Sequence, residues 1–170
     1  PGSGKTTLLK KVVDQVTMAA VGFYTQEIRA HNRRVGFEIL TLDGQRGVLA
    51  HVAFRSHYRV SRYGVDLDIL EKLAVGSLRK GMAENSLVVM DEIGPMEILS
   101  PLFRQTVIEV LDSPAAVLGT IVMRSLPFSD AIKSRADIEL VEVKPDNRNW
   151  LAEDLATRFS SGRKLYHHRI

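Results

Sequence analysis

The string Pro-Gly-Ser-Gly-Lys-Thr-Thr at residues 1–7 constrains the fold more than any other part of the sequence. It matches all but the first two positions of the phosphate-binding loop G-x-x-x-x-G-K-[ST], the Walker A motif. The glycines let successive backbone N–H groups point at phosphate oxygens, the lysine reaches the β- and γ-phosphates, and the threonine hydroxyl binds Mg²⁺. The competing interpretation is a glycine-rich turn before an ordinary helix. We expect phosphate binding, with these candidate residues: Pro1, Gly2, Ser3, Gly4, Lys5, Thr6 and Thr7.

Apolar residues at helical spacing follow the loop and predict a helix over 7–18. Bound phosphates would then also lie at a helix N-terminus, which favours anions. The chain has no initiator Met and begins inside the motif, although such a loop requires a strand leading into it. We therefore expect that the first core strand and the leading glycine are missing from the chain.

Composition narrows the class of protein. With 45% apolar and 25% charged residues, the 170-residue chain suits one domain, which we place at 1–160, followed by a basic tail at 161–170. No apolar stretch approaches the ~18 residues of a membrane span. The absence of cysteine excludes disulfides, thiol catalysis and cysteine-bound metals. We expect a cytoplasmic monomer without a membrane partner.

Arginines cluster between residues 29 and 62, and the sequence pI is about 9.3. This pattern is more typical of a solvated rim than of a nucleic-acid surface, although both remain open. The histidines lack the spacing of metal ligands.

The order of elements predicts an α/β fold. Three strands at 21–29, 35–42 and 48–54 form an antiparallel meander, and helical periodicity covers 66–83. Further strands at 87–90, 117–122 and 138–143 alternate with helices at 101–111, 128–135 and 147–159, with Ser100 as an N-cap and Pro101 at the first helical position. Alternation predicts a mostly parallel sheet with helices on both faces, extended along one edge by the meander.

The apolar run Leu-Val-Val-Met leads directly into Asp91 and Glu92. Open α/β sheets bind ligands at this carboxyl end of a strand, so Asp91 is the candidate Mg²⁺ residue and Glu92 the candidate base that deprotonates water. A base facing water favours hydrolysis over transfer to an acceptor hydroxyl. Glu97 is a further candidate, but a solvated or capping role is expected for it.

Several strings resemble the small P-loop nucleoside-triphosphatases of the cancer-related nucleoside-triphosphatase type, a family with bacterial and archaeal members. These strings are PGSGKTT, GFYTQEIR, RRVGFEI, LDGQRG, RVSRYGVDL at 59–67, LVVMDEIGPME, LGTI and the closing Asn-Arg at 147–148. The GFYTQEIR–RRVGFEI and DEIGPME strings are the most specific, and the resemblance extends from residue 1 to about 151.

The resemblance implies a RecA-like sheet and slow, Mg²⁺-dependent hydrolysis of ATP, GTP and other nucleoside triphosphates to diphosphate and phosphate. It assigns the loop residues to phosphate binding, with Lys5 also catalytic, Thr6 and Asp91 to the metal, and Glu92 to the water. A nucleotide or small-molecule kinase and a nucleic-acid-stimulated ATPase are the alternatives.

The arginine that stabilises the γ-phosphate is harder to assign. Arg59 falls within the resemblance and is expected in a loop near the phosphates, where it would be catalytic; Arg124 follows the strand at 117–122. Asn147 and Arg148 are candidate nucleotide-binding residues that could contact the base. The alternative is that Asn147 caps the last helix.

Overall fold

The computed structural model describes residues 4–161. Its helices are α1 (Lys5–Gln15), α2 (Leu67–Ile69), α3 (Gly76–Ala83), α4 (Pro101–Asp112), α5 (Pro127–Lys133) and α6 (Arg148–Ser160). A π-helical turn, Leu70–Val75, joins α2 to α3, and a 3₁₀ turn, Glu97–Leu99, precedes α4. The strands are β1 (Ala20–Ala30), β2 (Arg33–Thr41), β3 (Arg46–His51), β4 (Arg59–Val60), β5 (Tyr63–Val65), β6 (Leu87–Ile93) and β7 (Val117–Ile121).

These strands form one seven-stranded mixed sheet in the order β4-β5-β3-β2-β1-β6-β7. The pairs β1–β6 and β6–β7 are parallel, and the other four neighbouring pairs are antiparallel. The long strand β1 belongs to both parts, because its first residues pair with β6 and its later residues pair with β2. The α/β fold with a meander at one edge is therefore confirmed, and the parallel part comprises three described strands.

Apolar cores lie on both faces of the sheet, as expected for a sheet between helical layers. One core contains buried side chains of α1 and α6 packed on β6 and β7. The other contains buried side chains of α3 and α4 packed on β1, β3 and β6. Strand β6 is buried on both faces, which explains its continuous apolar run.

Side-chain caps fix two helix starts at the positions that the sequence indicates. The Ser100 hydroxyl accepts a hydrogen bond from the Phe103 N–H at 3.0 Å, and Pro101 follows as the first helical residue. The Asp66 carboxylate accepts from the Ile69 N–H at 3.0 Å. Both contacts satisfy an N–H group that the first helical turn leaves unpaired.

The strand predicted at 138–143 is wrong, because the structure has no strand there. Alternating apolar residues in this segment do pack, Ile138 against one core and Val143 within the other. A strand also needs a backbone ladder, however, and β7 ends the sheet order with β6 as its paired neighbour among the described strands. Side-chain periodicity therefore predicted burial here but not pairing.

The short hairpin of β4 and β5 was not predicted. Its turn has Ser61 in the left-handed region, with a φ of 54°, where glycine or asparagine is the usual sequence signal. Within residues 4–161, no helix combines the length and apolar character that crossing a membrane requires. The calls on Pro1, Gly2 and Ser3, and on the tail beyond Ser161, lie outside the described residues.

Candidate active site

The N-terminus of α1 faces the carboxyl end of β6, and this junction brings four predicted residues together. Gly4 precedes α1 with a φ of 79°, a left-handed conformation that favours glycine. The next two residues turn toward the strand end. The Lys5 Nζ lies 3.2 Å from a Glu92 carboxylate oxygen, and the Thr6 hydroxyl donates a hydrogen bond to Asp91. Contacts between side chains more than eighty positions apart thus join the loop to the strand.

Asp91 is buried, with 3% of its surface exposed. Thr6 donates to one carboxylate oxygen and Thr120, on the neighbouring strand β7, donates to the other at 2.6 Å. Burial raises the pKa of Asp91, and the two hydroxyl donors oppose that shift. Sequence reasoning did not select Thr120, whose signal is a single hydroxyl within the apolar strand Val-Leu-Gly-Thr-Ile.

The donor set at this point suits Mg²⁺. Asp91 and Thr6 offer hard oxygen ligands, and the hydrogen bond between them places the two oxygens side by side. Across residues 4–161 there is no group of three or more histidine and acidic side chains that could bind a metal by itself. Mg²⁺ commonly binds through one or two protein oxygens, with phosphate and water completing its shell.

Glu92 occupies a more open position than its neighbour. About 30% of its side chain is exposed, against 21% for its ion-pair partner Lys5. One residue of the strand end thus enters the interior and the next faces the phosphate loop, which allows different tasks for two adjacent carboxylates.

Glu97 is buried, with 4% of its surface exposed, so the expected solvated or capping role is wrong. Ser100 provides the side-chain cap of α4 instead. Burial first, and then the nearby charge of Glu92, raise the pKa of Glu97 to about 8. This carboxyl is therefore mostly neutral at pH 7.

Arg148 lies against the phosphate loop. A Cβ atom built on Gly4 would lie 2.2 Å from Arg148 Nη1, so the guanidinium occupies the space directly over this glycine. The Arg148 Nε is buried and has no hydrogen-bond partner among the described residues. The structure thus brings Arg148 to the phosphate end of the site.

Asn147 occupies the N-cap position of α6, where its carbonyl oxygen accepts a hydrogen bond from the Leu151 N–H at 2.8 Å. Its amide oxygen accepts from the Lys144 N–H and its amide nitrogen donates to the Glu142 carbonyl, both at 2.8 Å. Its side chain makes no capping bond to α6. The amide closes the loop before α6, and the prediction that it contacts a base receives no support from this arrangement.

Arg59 lies on β4, at the opposite end of the sheet order from β7. Its guanidinium donates to the carbonyl oxygens of Phe54 at 3.2 Å and Arg62 at 2.9 Å. The expectation that it lies near the phosphates within this chain is therefore wrong, because β4 belongs to a hairpin that the sequence did not reveal. Arg124 follows β7 as an exposed residue, at the same end of the sheet as the carboxyl end of the parallel strand β6.

Comparison with known proteins gives concordant matches over almost the whole chain. A family model described as NTPase matches residues 1–156. Nucleoside-triphosphatase THEP1 of Thermotoga maritima is 43% identical over 166 residues, covering 96% of this chain and 95% of the relative. The human cancer-related nucleoside-triphosphatase is 38% identical over 180 residues, covering 96% and 95%.

Solved structures agree with these matches. The crystal structure of THEP1 from Aquifex aeolicus superposes with a TM-score of 0.83 at 35% identity, covering 91% of this chain and 92% of the other. The solution structure of a human cancer-related nucleoside triphosphatase gives a TM-score of 0.78 at 38% identity, covering 96% and 95%.

Proposed function

Because the chain belongs to the NTPase family, we propose that it hydrolyses nucleoside 5′-triphosphates to diphosphate and phosphate in a Mg²⁺-dependent reaction. One observation carries the assignment of residues: the start of α1 and the end of β6 hold a lysine, a hydroxyl and two carboxylates in direct contact. This combination supplies the cation, the metal ligands and the base that phosphoanhydride hydrolysis requires.

Phosphate binding is assigned to the loop and Lys5. The Lys5 ammonium now pairs with Glu92, and a triphosphate carries more negative charge than one carboxylate. Binding would exchange this partner for the β- and γ-phosphates, which frees Glu92 to face the γ-phosphate. Gly4 and the helix start add N–H groups that favour anions.

Thr6 and Asp91 would hold Mg²⁺. The ion would neutralise charge on the β- and γ-phosphate oxygens. Thr120 supports this role, because its hydrogen bond fixes the orientation of the Asp91 carboxylate.

Glu92 is the proposed general base. Its carboxylate is partly exposed at the mouth of the site, next to the residue that would hold the metal. From there it can accept a proton from the water that attacks the γ-phosphorus. A carboxylate on the water side favours hydrolysis over kinase chemistry, which requires an ordered acceptor and exclusion of water.

Arg148 is the arginine of this chain that we propose contacts the phosphates. Its position over Gly4 and its unpaired buried Nε suit contact with a phosphate oxygen better than stacking on a base. The side chains that meet at this site, Lys5, Thr6, Asp91 and Glu92, suit a phosphate group and a metal ion. This supports broad tolerance of the nucleotide base. A cytoplasmic location and a monomeric state stay predictions.

Phosphate release from purified protein tests the proposal. We expect release from ATP, GTP, CTP and UTP within about tenfold of one another, since phosphate contacts do not depend on the base. Release should follow the Mg²⁺ concentration and stop with EDTA. Adding single-stranded DNA or RNA should not be required.

Radiolabelled γ-phosphate separates the alternatives. Transfer of label to an added nucleoside monophosphate would identify a kinase, and release that depends on nucleic acid would identify a stimulated ATPase. Absence of release from every triphosphate with Mg²⁺ would contradict the proposed function.

A further inference from the structure

Two carboxyl groups converge on the backbone of Gly94, immediately after β6. A Cβ atom built on Gly94 would lie 2.7 Å from Glu92 Oε1 and 2.9 Å from Glu97 Oε2. The two oxygens are therefore no farther apart than the sum of these distances. Any side chain at position 94 would have to displace both groups, so the glycine permits the carboxyls to approach one another.

The environments of the two groups differ sharply. Glu92 is about 30% exposed and pairs with Lys5, whereas 4% of Glu97 is exposed. The Glu97 carboxyl packs against the backbone of Gly94, because its Oε2 lies 2.9 Å from the Cβ position built on that glycine. The charges nearest to it are those of Glu92 and Asp91, both negative. Two carboxyls so close resist double ionisation, and the buried one retains the proton.

Neighbouring elements hold the backbone around Glu97 firmly. The Ile98 N–H donates to the Gly94 carbonyl at 3.1 Å, which closes the turn between β6 and α4. The Arg104 guanidinium donates to the Ile98 carbonyl at 2.6 Å, and Ser100 caps α4. Glu97 thus links the start of α4 to the backbone of Gly94, two residues beyond Glu92.

We propose that Glu97 is a positioning residue that acts through Glu92. Its buried carboxyl packs against the Gly94 backbone and so fixes the strand end that presents Glu92 to the phosphate loop. It also lines the rear of the site with a neutral polar group, which leaves Glu92 as the anionic member of the pair. This role rests on the hydrolysis proposed above.

Three substitutions at this position, with kcat and KM measured separately, test the role. Glu97→Ala removes the carboxyl that packs against Gly94 and approaches Glu92, and we expect kcat to fall about 10–100-fold, the usual effect of losing a supporting side chain at a site. KM and the calorimetric Kd for Mg²⁺-ATP, measured under conditions of slow turnover, should change less than about threefold, since Glu97 contacts neither the loop nor the metal residues.

The conservative variants distinguish positioning from simple packing. Glu97→Gln is neutral and keeps a carbonyl oxygen of the same reach, so it should recover most of the lost kcat. Glu97→Asp is one methylene shorter and should remain slow. Glu153→Ala, an exposed acid on α6, is the matched control and should behave as wild type.

Wild-type kcat in Glu97→Ala would overturn the proposal, as would a Glu97→Gln protein as slow as Glu97→Ala. An equal loss of nucleotide binding and kcat, with a lowered melting temperature in all three variants, would show a purely structural role and also overturn it. If Glu97→Ala does not fold, the kcat values of Glu97→Gln and Glu97→Asp test the proposal, and equal values in these two variants would overturn it. Absence of phosphate release from the wild type would instead refute the proposed function, and this inference with it.

Discussion

The two ends of the sheet use charge in opposite ways. In the antiparallel part, from the second half of β1 to β5, arginines outnumber acids, and several form surface ion pairs such as Arg46 with Glu38 and Arg29 with Glu27. At the parallel end, Asp91 and Glu97 are buried and their nearest charged neighbours include other carboxylates. The surface charges pair with one another without a ligand, whereas in the proposed function a cation and a triphosphate complete the buried arrangement.

This difference separates charges that serve solubility from charges that serve chemistry. Exposed ion pairs contribute about 0–1 kcal/mol each, so their loss should change little. Buried carboxylates carry a desolvation cost that a fold retains where function requires it. The buried carboxylates therefore support the proposal that the active site lies at the parallel end.

The largest expected effect follows from Lys5→Ala. Removing the ammonium takes away the point charge that would hold the β- and γ-phosphates, and it leaves Glu92 without its partner. We expect steady-state phosphate release to fall to background and the affinity for Mg²⁺-ATP to weaken by at least about tenfold. Lys80→Ala, a surface lysine of α3, is the control. Unchanged release in Lys5→Ala would remove the phosphate-loop assignment.

Arginine substitutions at the two ends should give a smaller but clear contrast. A charge-assisted hydrogen bond contributes about 1.5–3 kcal/mol, so Arg148→Ala should lower kcat/KM for ATP by roughly 10–100-fold. Arg59→Ala removes contacts to two backbone carbonyls at the far edge and should stay within about twofold of wild type. Colorimetric phosphate assays over a range of ATP concentrations measure both. A large loss of kcat/KM in Arg59→Ala, with little change in Arg148→Ala, would mean that Arg59 contributes to an active site from the far edge of the sheet.

The last contrast is in stability rather than in activity, and it concerns the buried carboxyl of Glu97. The pKa of Glu97 rises from 4.5 to about 8 on folding, so between these values the folded protein binds a proton that the unfolded chain has lost. Its contribution to the free energy of unfolding is therefore greatest below pH 4.5 and declines as the pH rises to about 8.

Melting curves of wild type and Glu97→Gln at pH 5, 6, 7 and 8, without nucleotide, measure this decline. Glutamine does not titrate, so the variant should gain on the wild type by up to about 1.4 kcal/mol per pH unit, or roughly 3–5 °C. Parallel pH dependence in the two proteins would show that Glu97 is not the buried acid described here.

The sequence predicted several features of the parallel end, and each of these has a local signal. The loop glycines, the apolar run before Asp91 and the Ser100–Pro101 helix start depend on nearby residues alone, and the structure confirms the elements that they predict. The contacts of Lys5 and Thr6 with β6 also follow, because a helix start and a strand end meet at the same edge of an α/β sheet.

The remaining features depend on partners distant in the chain. Arg59 was misplaced because its hairpin turns at Ser61, a residue without a turn signal. Thr120 and Glu97 look like an ordinary strand residue and an ordinary surface acid until the fold buries them beside the catalytic candidates. Burial is a property of the packed tertiary structure, so it could not be inferred from spacing.

Single-turnover hydrolysis by Glu92→Gln tests most directly whether the end of β6 performs the chemistry. The amide keeps the shape of the side chain but cannot accept the proton of water. With excess protein over Mg²⁺-ATP, we predict near wild-type binding by calorimetry and phosphate release slowed by about 10²–10⁴-fold. Binding with release at the wild-type rate would contradict the assignment of Glu92, and with it the proposal that this strand end is the catalytic centre.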